Sequence, residues 1–219
     1  MLWDVLPIAA QHVGADDTVL DVGANIGEFT LFAARRASKV VAFEPVSYLF
    51  DRLSGNVALN DMPQVQLVNA GLYDREAKVD IYLSDSRDQL QGTNHGMGNL
   101  FSAPPGSRGE KEQIQVLRLD DWAQQQNLQG ADFVKLDIEG AEFAALRGAE
   151  AVLREFRPAL VLELEHSHSE RAGFDESELL DYLRALDYQL HTLDAAGKLQ
   201  PLQGSQVQHA RNLYCEPPS

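Results

Sequence analysis

The chain has 219 residues, a length that suits one domain over residues 1–219. Hydrophobic residues make up 44% of it, enough for a packed core, so wholesale disorder is excluded. With 33 Asp and Glu against 18 Lys and Arg the net charge is −15, which argues against nucleic acid or an anionic membrane surface as a partner and favours a neutral, amine-bearing or cationic small molecule.

The start, Met1-Leu2-Trp3-Asp4, lacks the basic and apolar runs of a signal peptide. No stretch approaches the ~20 apolar residues of a membrane span. A soluble, cytoplasmic chain is expected. Trp3, Leu6 and Ile8 suggest a short N-terminal helix that packs on the core. Short runs rich in Val, Ile, Leu and Phe then follow at residues 18–22, 39–43, 65–69, 133–138 and 159–164. They are apolar without strict alternation, as in strands covered on both faces. Residues 28–37, 47–60 and 141–154 carry apolar side chains at helical spacing. Such alternation predicts a parallel sheet with helices on both faces.

The alternation breaks between residues 71 and 129. Strands are expected at 78–83 and 113–117, and the stretch between them holds Gly92, Gly96, Gly98, Gly106, Gly109 and Pro104-Pro105. Residues 84–112 therefore read as a long loop, expected to be a substrate lid. Asp120 or Asp121 is expected to cap a short helix at 122–126, with Trp122 filling a gap between helix and sheet. The tail reads as a helix at 175–186, a strand at 188–193, a turn, and a last strand near 210–215. A terminal hairpin would place an antiparallel strand there. Cys215, the one cysteine, reads as a packed and inert thiol.

The strongest local motif runs from Thr18 through Asp21-Val-Gly-Ala-Asn-Ile-Gly27, a strand entering a glycine turn and then a helix. Gly23 and Gly27 allow a sharp turn and a close backbone approach. The dinucleotide pattern Gly-x-Gly-x-x-Gly is not met, since Asn25 and Glu28 stand at its second and third glycines; nicotinamide chemistry, as in a reductase, is disfavoured. Glu44, followed by Pro45, ends the next strand and suits bidentate hydrogen bonds to vicinal ribose hydroxyls. Asn56 and Asn60 read as polar residues late on the following helix. Asp137 and Glu139 end another strand, so with Asp21 and Glu44 four carboxylates fall at strand ends. Their convergence calls for a cationic ligand or protons. Glu163, Glu165, His166 and His168 form a dense cluster after the next strand. Neighbours on an extended strand point to opposite faces, so Glu165 and His166 would not readily share an ion, and no metal is assigned.

Together the segments Asp21–Gly27, Phe43-Glu44-Pro45, Asn69-Ala-Gly71-Leu72, Val134-Lys-Leu-Asp-Ile-Glu-Gly-Ala-Glu142, Leu146-Arg147-Gly148 and 158–163 resemble a class I S-adenosylmethionine-dependent methyltransferase of the FkbM type. The resemblance implies a Rossmann-like α/β sandwich whose seven-stranded, mostly parallel sheet ends in an antiparallel strand. It implies that Asp21, Gly23, Asn25 and Gly27, with Asp137, surround the methionyl part of S-adenosylmethionine. Glu44 would hold the ribose, and Asn69 and Gly71 would lie near the adenine. O-methylation of a hydroxyl on a small natural product or sugar is the activity implied. N-methylation of an amide or amine, on a small molecule or peptide, stands as the alternative, with a non-catalytic cofactor-binding scaffold as a third. Catalysis of hydroxyl attack gains from a general base. Asp137, Glu139 and His95 are the candidates, and His95, His166 and His168 are candidate acceptor contacts.

Overall fold

Apolar runs that cannot face water on either side pair with one another, and helices cover both faces of the resulting sheet. A computed structural model of the protein describes residues 2–83, 98–99, 111–164, 174–193, 198–202 and 212–217; for residues 2–4 and 98–99 only the backbone is described. The elements in chain order are α1 (Leu2–His12), β1 (Thr18–Val22), α2 (Glu28–Ala34), β2 (Lys39–Phe43), α3 (Ser47–Leu59), β3 (Val65–Val68), β4 (Gly71–Leu72), β5 (Ala77–Leu83), β6 (Gly98–Asn99) and β7 (Lys111–Leu117). There follow α4 (Leu119–Gln125), β8 (Phe133–Leu136), α5 (Glu142–Arg147), α6 (Glu150–Phe156), β9 (Ala159–Glu163), α7 (Glu176–Ala185), β10 (Gln189–Leu193), β11 (Leu199–Pro201) and β12 (Asn212–Glu216).

The main sheet has the order β11-β10-β12-β9-β8-β1-β2-β3. Strands β9, β8, β1, β2 and β3 are mutually parallel, and β12 runs against both β9 and β10. The expected antiparallel strand is therefore β12, inserted between β9 and β10. The sheet has eight strands rather than seven, because the short β11 pairs antiparallel on the outer edge of β10. Two apolar clusters flank the sheet. Leu20, Val22, Phe43, Trp122, Leu136, Leu146, Leu160 and Leu180 share one, and Val5, Ile8, Phe29, Phe133 and Val161 the other. Trp122 packs edge-on against Phe43 with ring centroids 5.1 Å apart, which is the expected gap-filling role. Tyr182 and Tyr188 donate their hydroxyls to the Leu146 and Pro158 carbonyls, so both serve the core. Cys215 is fully buried, and burial pushes its thiol well above the ordinary value.

Three local expectations need correction. The helix expected over 141–154 is two helices, broken at Gly148-Ala149. A Cβ on Gly148 would stand 2.0 Å from the Tyr73 carbonyl oxygen, so a glycine there lets the chain after β4 lie against the break. Asp120 does not cap its own helix, whose N-cap is Arg118; its carboxylate accepts from the Val152 N–H and so satisfies the start of α6. The excursion after residue 71 is also more than a pair of strands on a loop. It builds a second sheet, order β4-β7-β5-β6, in which β5 and β7 are antiparallel with Tyr82 opposite Lys111. Most of the expected lid, residues 84–97 and 100–110, lies outside the described residues. Among the described residues no helix is long and apolar enough to cross a membrane.

Candidate active site

The parallel strands β9, β8, β1 and β2 end side by side, and the loops that leave those ends form the site, as expected for an open α/β sheet. After β1 the backbone turns through Gly23 at φ 80°, Asn25 at φ 53° and Gly27 at φ 96°. Gly23 is fixed by packing as well as by conformation, since a Cβ there would lie 2.0 Å from the Asp137 carbonyl oxygen. A Cβ on Gly27 would meet Leu53 of α3 at 2.6 Å. The loop is tied down elsewhere: the Gly23 and Ala24 N–H groups donate to the Phe43 carbonyl, and Asn56 Nδ2 donates to the Ile26 carbonyl at 2.7 Å. Asn56 was expected only as a helix-end polar residue; it is the strut between α3 and the glycine loop. Asn60 does occupy the helix end, as the C-cap of α3.

Glu44 is 4% exposed and already engaged. Its Oε2 accepts from the Asn25 N–H at 2.8 Å and its Oε1 from the Val46 N–H at 2.9 Å. Burial pushes its carboxyl up to about 7, and the two backbone donors and the Lys135 charge oppose that shift without cancelling it. A carboxylate offers about four lone-pair positions, so two remain for further donors. Asn69 Nδ2 donates to the carbonyls of Glu44 and Pro45, and Gly71 lies beside Pro45 and Val116. Those two residues therefore line the back of the Glu44 turn.

Asp21 is fully buried. The Thr30 hydroxyl donates to its Oδ2 at 2.6 Å, which pins α2 to β1. Its Oδ1 stands 3.2 Å from Lys135 Nζ as an ion pair without hydrogen-bond alignment. Lys135 sits within β8 among Phe133, Val134 and Leu136, all buried. Its ammonium donates to the Gly23 carbonyl at 2.7 Å and lies 3.6 Å from Asp137 Oδ2. Burial lowers the Lys135 pKa, and the charges of Asp21 and Asp137 outweigh it and hold the group above its ordinary value. The sequence contained the signal, a lysine inside an apolar strand, but its partners became visible only in the fold.

Asp137, Glu139 and Glu163 bring one carboxylate oxygen each within 4.8 Å of one another. The Asp137 side chain is 42% exposed and opens onto the crevice. Glu163 hydrogen-bonds Asp137, and burial with that bond and that charge holds Glu163 far above the ordinary glutamate range. Burial also acts to raise Asp137, but the Lys135 ammonium and the Glu163 bond prevail and hold it below its usual value. The two acids titrate as a pair. Oxygen donors at this spacing could close on a hard divalent cation. The shared proton and the nearby ammonium offset part of that charge, and no ion is assigned.

The turn after β8 is unusual, with Glu139 at φ 56° and Gly140 at φ 104°. Glu142, 3% exposed, reaches back to accept from the Ile138 N–H at 3.0 Å and holds this turn in place. Burial pushes Glu142 up to about 7. The small sheet packs beside the glycine loop: Ile81, Ile114 and Val116 meet Val46 and Leu49, with Ile26 against them. Glu112 of β7 accepts from the Ser47 N–H at 2.9 Å, joining that sheet to the start of α3. The sequence did not signal this second joint, because a Ser-Glu pair 65 positions apart has no local pattern. His95, His166 and His168 lie outside the described residues.

Residues 21–190 match the family described as the methyltransferase FkbM domain. Among curated proteins, Methyltransferase 1 of Beauveria bassiana is 30% identical over 152 residues, covering 62% of this chain and 59% of its own length. The 2-O-methyltransferase NoeI of Sinorhizobium fredii is 25% identical over 150 residues, covering 65% of this chain and 61% of its own length. The chain thus matches less than two thirds of either relative. Of solved structures, methyltransferase FkbM from Methylobacillus flagellatus KT aligns with a TM-score of 0.59 at 19% identity, over 91% of this chain and 43% of that one. SMU.1697c, a putative methyltransferase from Streptococcus mutans solved in complex with SAH, aligns with a TM-score of 0.52 at 12% identity, over 99% and 97% of the two chains. At these identities the structural likeness carries the fold.

Proposed function

We propose, for a chain that belongs to the FkbM methyltransferase family, that it transfers a methyl group from S-adenosylmethionine to a hydroxyl of a small natural product or sugar. The observation that carries the reading is the charge of the crevice. Asp137, Glu139 and Glu163 meet at the strand ends, Glu44 ends the strand on the far side of β1, and the Lys135 ammonium is turned inward. Such a site favours a ligand that brings positive charge. A sulfonium with an α-ammonium group fits that donor set, and the two open lone-pair positions of Glu44 fit vicinal ribose hydroxyls.

Bound there, the cofactor supplies an electrophilic methyl group. The residues of this chain bind, orient and accept a proton. Gly23, Asn25 and Gly27 hold the backbone close, with Asp21 and Lys135 fixed beneath it. Asp137 and Glu139 would flank the reacting centre, and one of them would take the proton that the acceptor hydroxyl loses, while the methyl group would leave the sulfonium as a neutral thioether is released. Residues 84–112 serve as the lid that excludes water within a single methyltransferase domain. The name of the Sinorhizobium relative, a 2-O-methyltransferase, supports the hydroxyl as acceptor.

The test is calorimetric titration with S-adenosylmethionine, its demethylated product and NAD, followed by transfer of a labelled methyl group to panels of glycosides, hydroxylated metabolites, amines and peptides. Binding of the first two ligands and labelling of hydroxyl acceptors are expected. Labelling confined to nitrogen overturns O-methylation, and binding of NAD alone overturns the cofactor.

A further inference from the structure

We propose that Lys135 is a positioning residue of the methyl-transfer site: its buried ammonium ties the glycine loop to the end of β8 and holds the Asp137 carboxylate at the crevice. The inference rests on the proposed cofactor reading for its consequence in binding, and for the rest on the contacts of Lys135, with the lowered Asp137 carboxyl in support. In the parallel pairing of β1 and β8, Asp21 stands opposite Lys135. The Lys135 side chain therefore has one acid beside it and rises toward the strand end, where Nζ donates to the Gly23 carbonyl at 2.7 Å and stands 3.6 Å from Asp137 Oδ2. One cation thus touches the strand, the loop and the crevice acid at once.

A plainer role, neutralising the buried Asp21, would need only the 3.2 Å ion pair. It does not account for the further hydrogen bond to the Gly23 carbonyl at 2.7 Å or for the approach to Asp137 Oδ2 at 3.6 Å. The groups facing the cluster are Asp21 from β1, Glu44 from the end of β2, Asp137 and Glu139 from the end of β8, Glu163 from β9 and Glu142 from α5. All are acids, and Lys135 is the described cation among them. It stands within ion-pair range of Asp137 Oδ2, at 3.6 Å, and its charge acts to hold that carboxyl below its usual value. The crevice then presents an anion in a fixed place, on the residue whose side chain opens to it.

Lys135→Met alone would strand Asp21 as an unpaired buried charge and endanger folding. The Asp21→Asn, Lys135→Met double variant removes both charges and keeps an acceptor for Thr30, so it is the variant to measure. In protein labelled with 13C at the Asp and Glu carboxyls, Asp137 of the double variant should titrate higher than in the wild type by about one to three pH units, the usual effect of an opposite charge at this range. Between the two titration values, the ratio of wild-type to variant affinity for S-adenosylmethionine should grow by up to about tenfold per pH unit as pH falls. An unshifted Asp137 titration, or an affinity ratio that does not change with pH, overturns the proposal. A wild type that binds no S-adenosylmethionine at all overturns the proposed function instead, and the carboxyl titration alone then decides the role of Lys135.

Discussion

Replacing Glu44 with Gln separates the cost of a buried charge from the value of its hydrogen bonds. In the folded protein the Glu44 carboxyl is held at about 7, against 4.5 for an ordinary glutamate. The folded state therefore keeps this proton to higher pH than the unfolded chain does. The sign follows: for this group stability is greatest below the ordinary value and is lost as pH rises through about 7. Integrated between pH 5 and pH 8, the loss from this one group is about 2.5 kcal/mol. Gln has no such loss. It has a fixed cost instead, because Asn25 N–H or Val46 N–H must then face an amide NH₂, and an unsatisfied buried donor costs about 1–3 kcal/mol. Glu142 titrates in the same region in both proteins and cancels in the difference. Urea unfolding followed by tryptophan fluorescence at several pH values reads the difference directly. The variant should be the less stable protein at pH 5, and the gap should close by about 2.5 kcal/mol at pH 8. A gap that stays constant across this range would refute the assignment of a raised carboxyl at Glu44.

The same residue predicts a proton release: if ribose hydroxyls donate to Glu44, cofactor binding near neutral pH expels its proton, and calorimetry in two buffers of different ionisation enthalpy should show more release from the wild type than from Glu44→Gln. Equal release would remove Glu44 from the ribose site. Gly23→Ala should destabilise the fold by about 2–4 kcal/mol, since its Cβ meets the Asp137 carbonyl and its φ is positive; a thermal midpoint close to wild type would show that the β1–β8 seam yields easily. Asn56→Ala removes the donor to the Ile26 carbonyl and should cost about 1 kcal/mol in urea unfolding together with weaker cofactor binding, whereas loss of stability with unchanged binding would make Asn56 a strut for α3 alone. Methyl transfer should survive exhaustive chelation, and a loss restored by a divalent cation would show that Asp137, Glu139 and Glu163 act together on an ion.

Much of this architecture was legible because strand burial and glycine geometry are local properties. Thr18–Val22 and Lys39–Phe43 have the bounds that their apolar runs suggest, and Gly23 and Gly27 do adopt positive φ. The break at Gly148 was not legible, since apolar spacing continues through it and its cause is the carbonyl of Tyr73, remote in sequence. The same holds for the second sheet, whose β4 is two residues long and pairs Gly71 with Val116 and Leu72 with Leu117, remote in sequence. At the site, the placing of Asp21, Glu44, Asp137 and Glu139 at or next to strand ends was legible from the apolar runs alone. What it could not convey was that Asp21 faces inward to Thr30 and Lys135 while Asp137 faces the crevice. Orientation depends on register between strands, and register is written in no single segment.

The pairing of β5 with β7 has a consequence for how such a protein diversifies. Tyr82 stands opposite Lys111, so the chain leaves the small sheet and re-enters it at neighbouring points on one ladder. Closing a longer or shorter connection across that gap costs entropy only as the logarithm of its length. The connection can thus be exchanged for another without altering the pairing of β5 with β7, and those two strands pack on Ile26, Val46 and Leu49. A lineage, or a designer, could graft a different acceptor-facing segment between Leu83 and Lys111 while the glycine loop, Glu44 and Lys135 remain as they are.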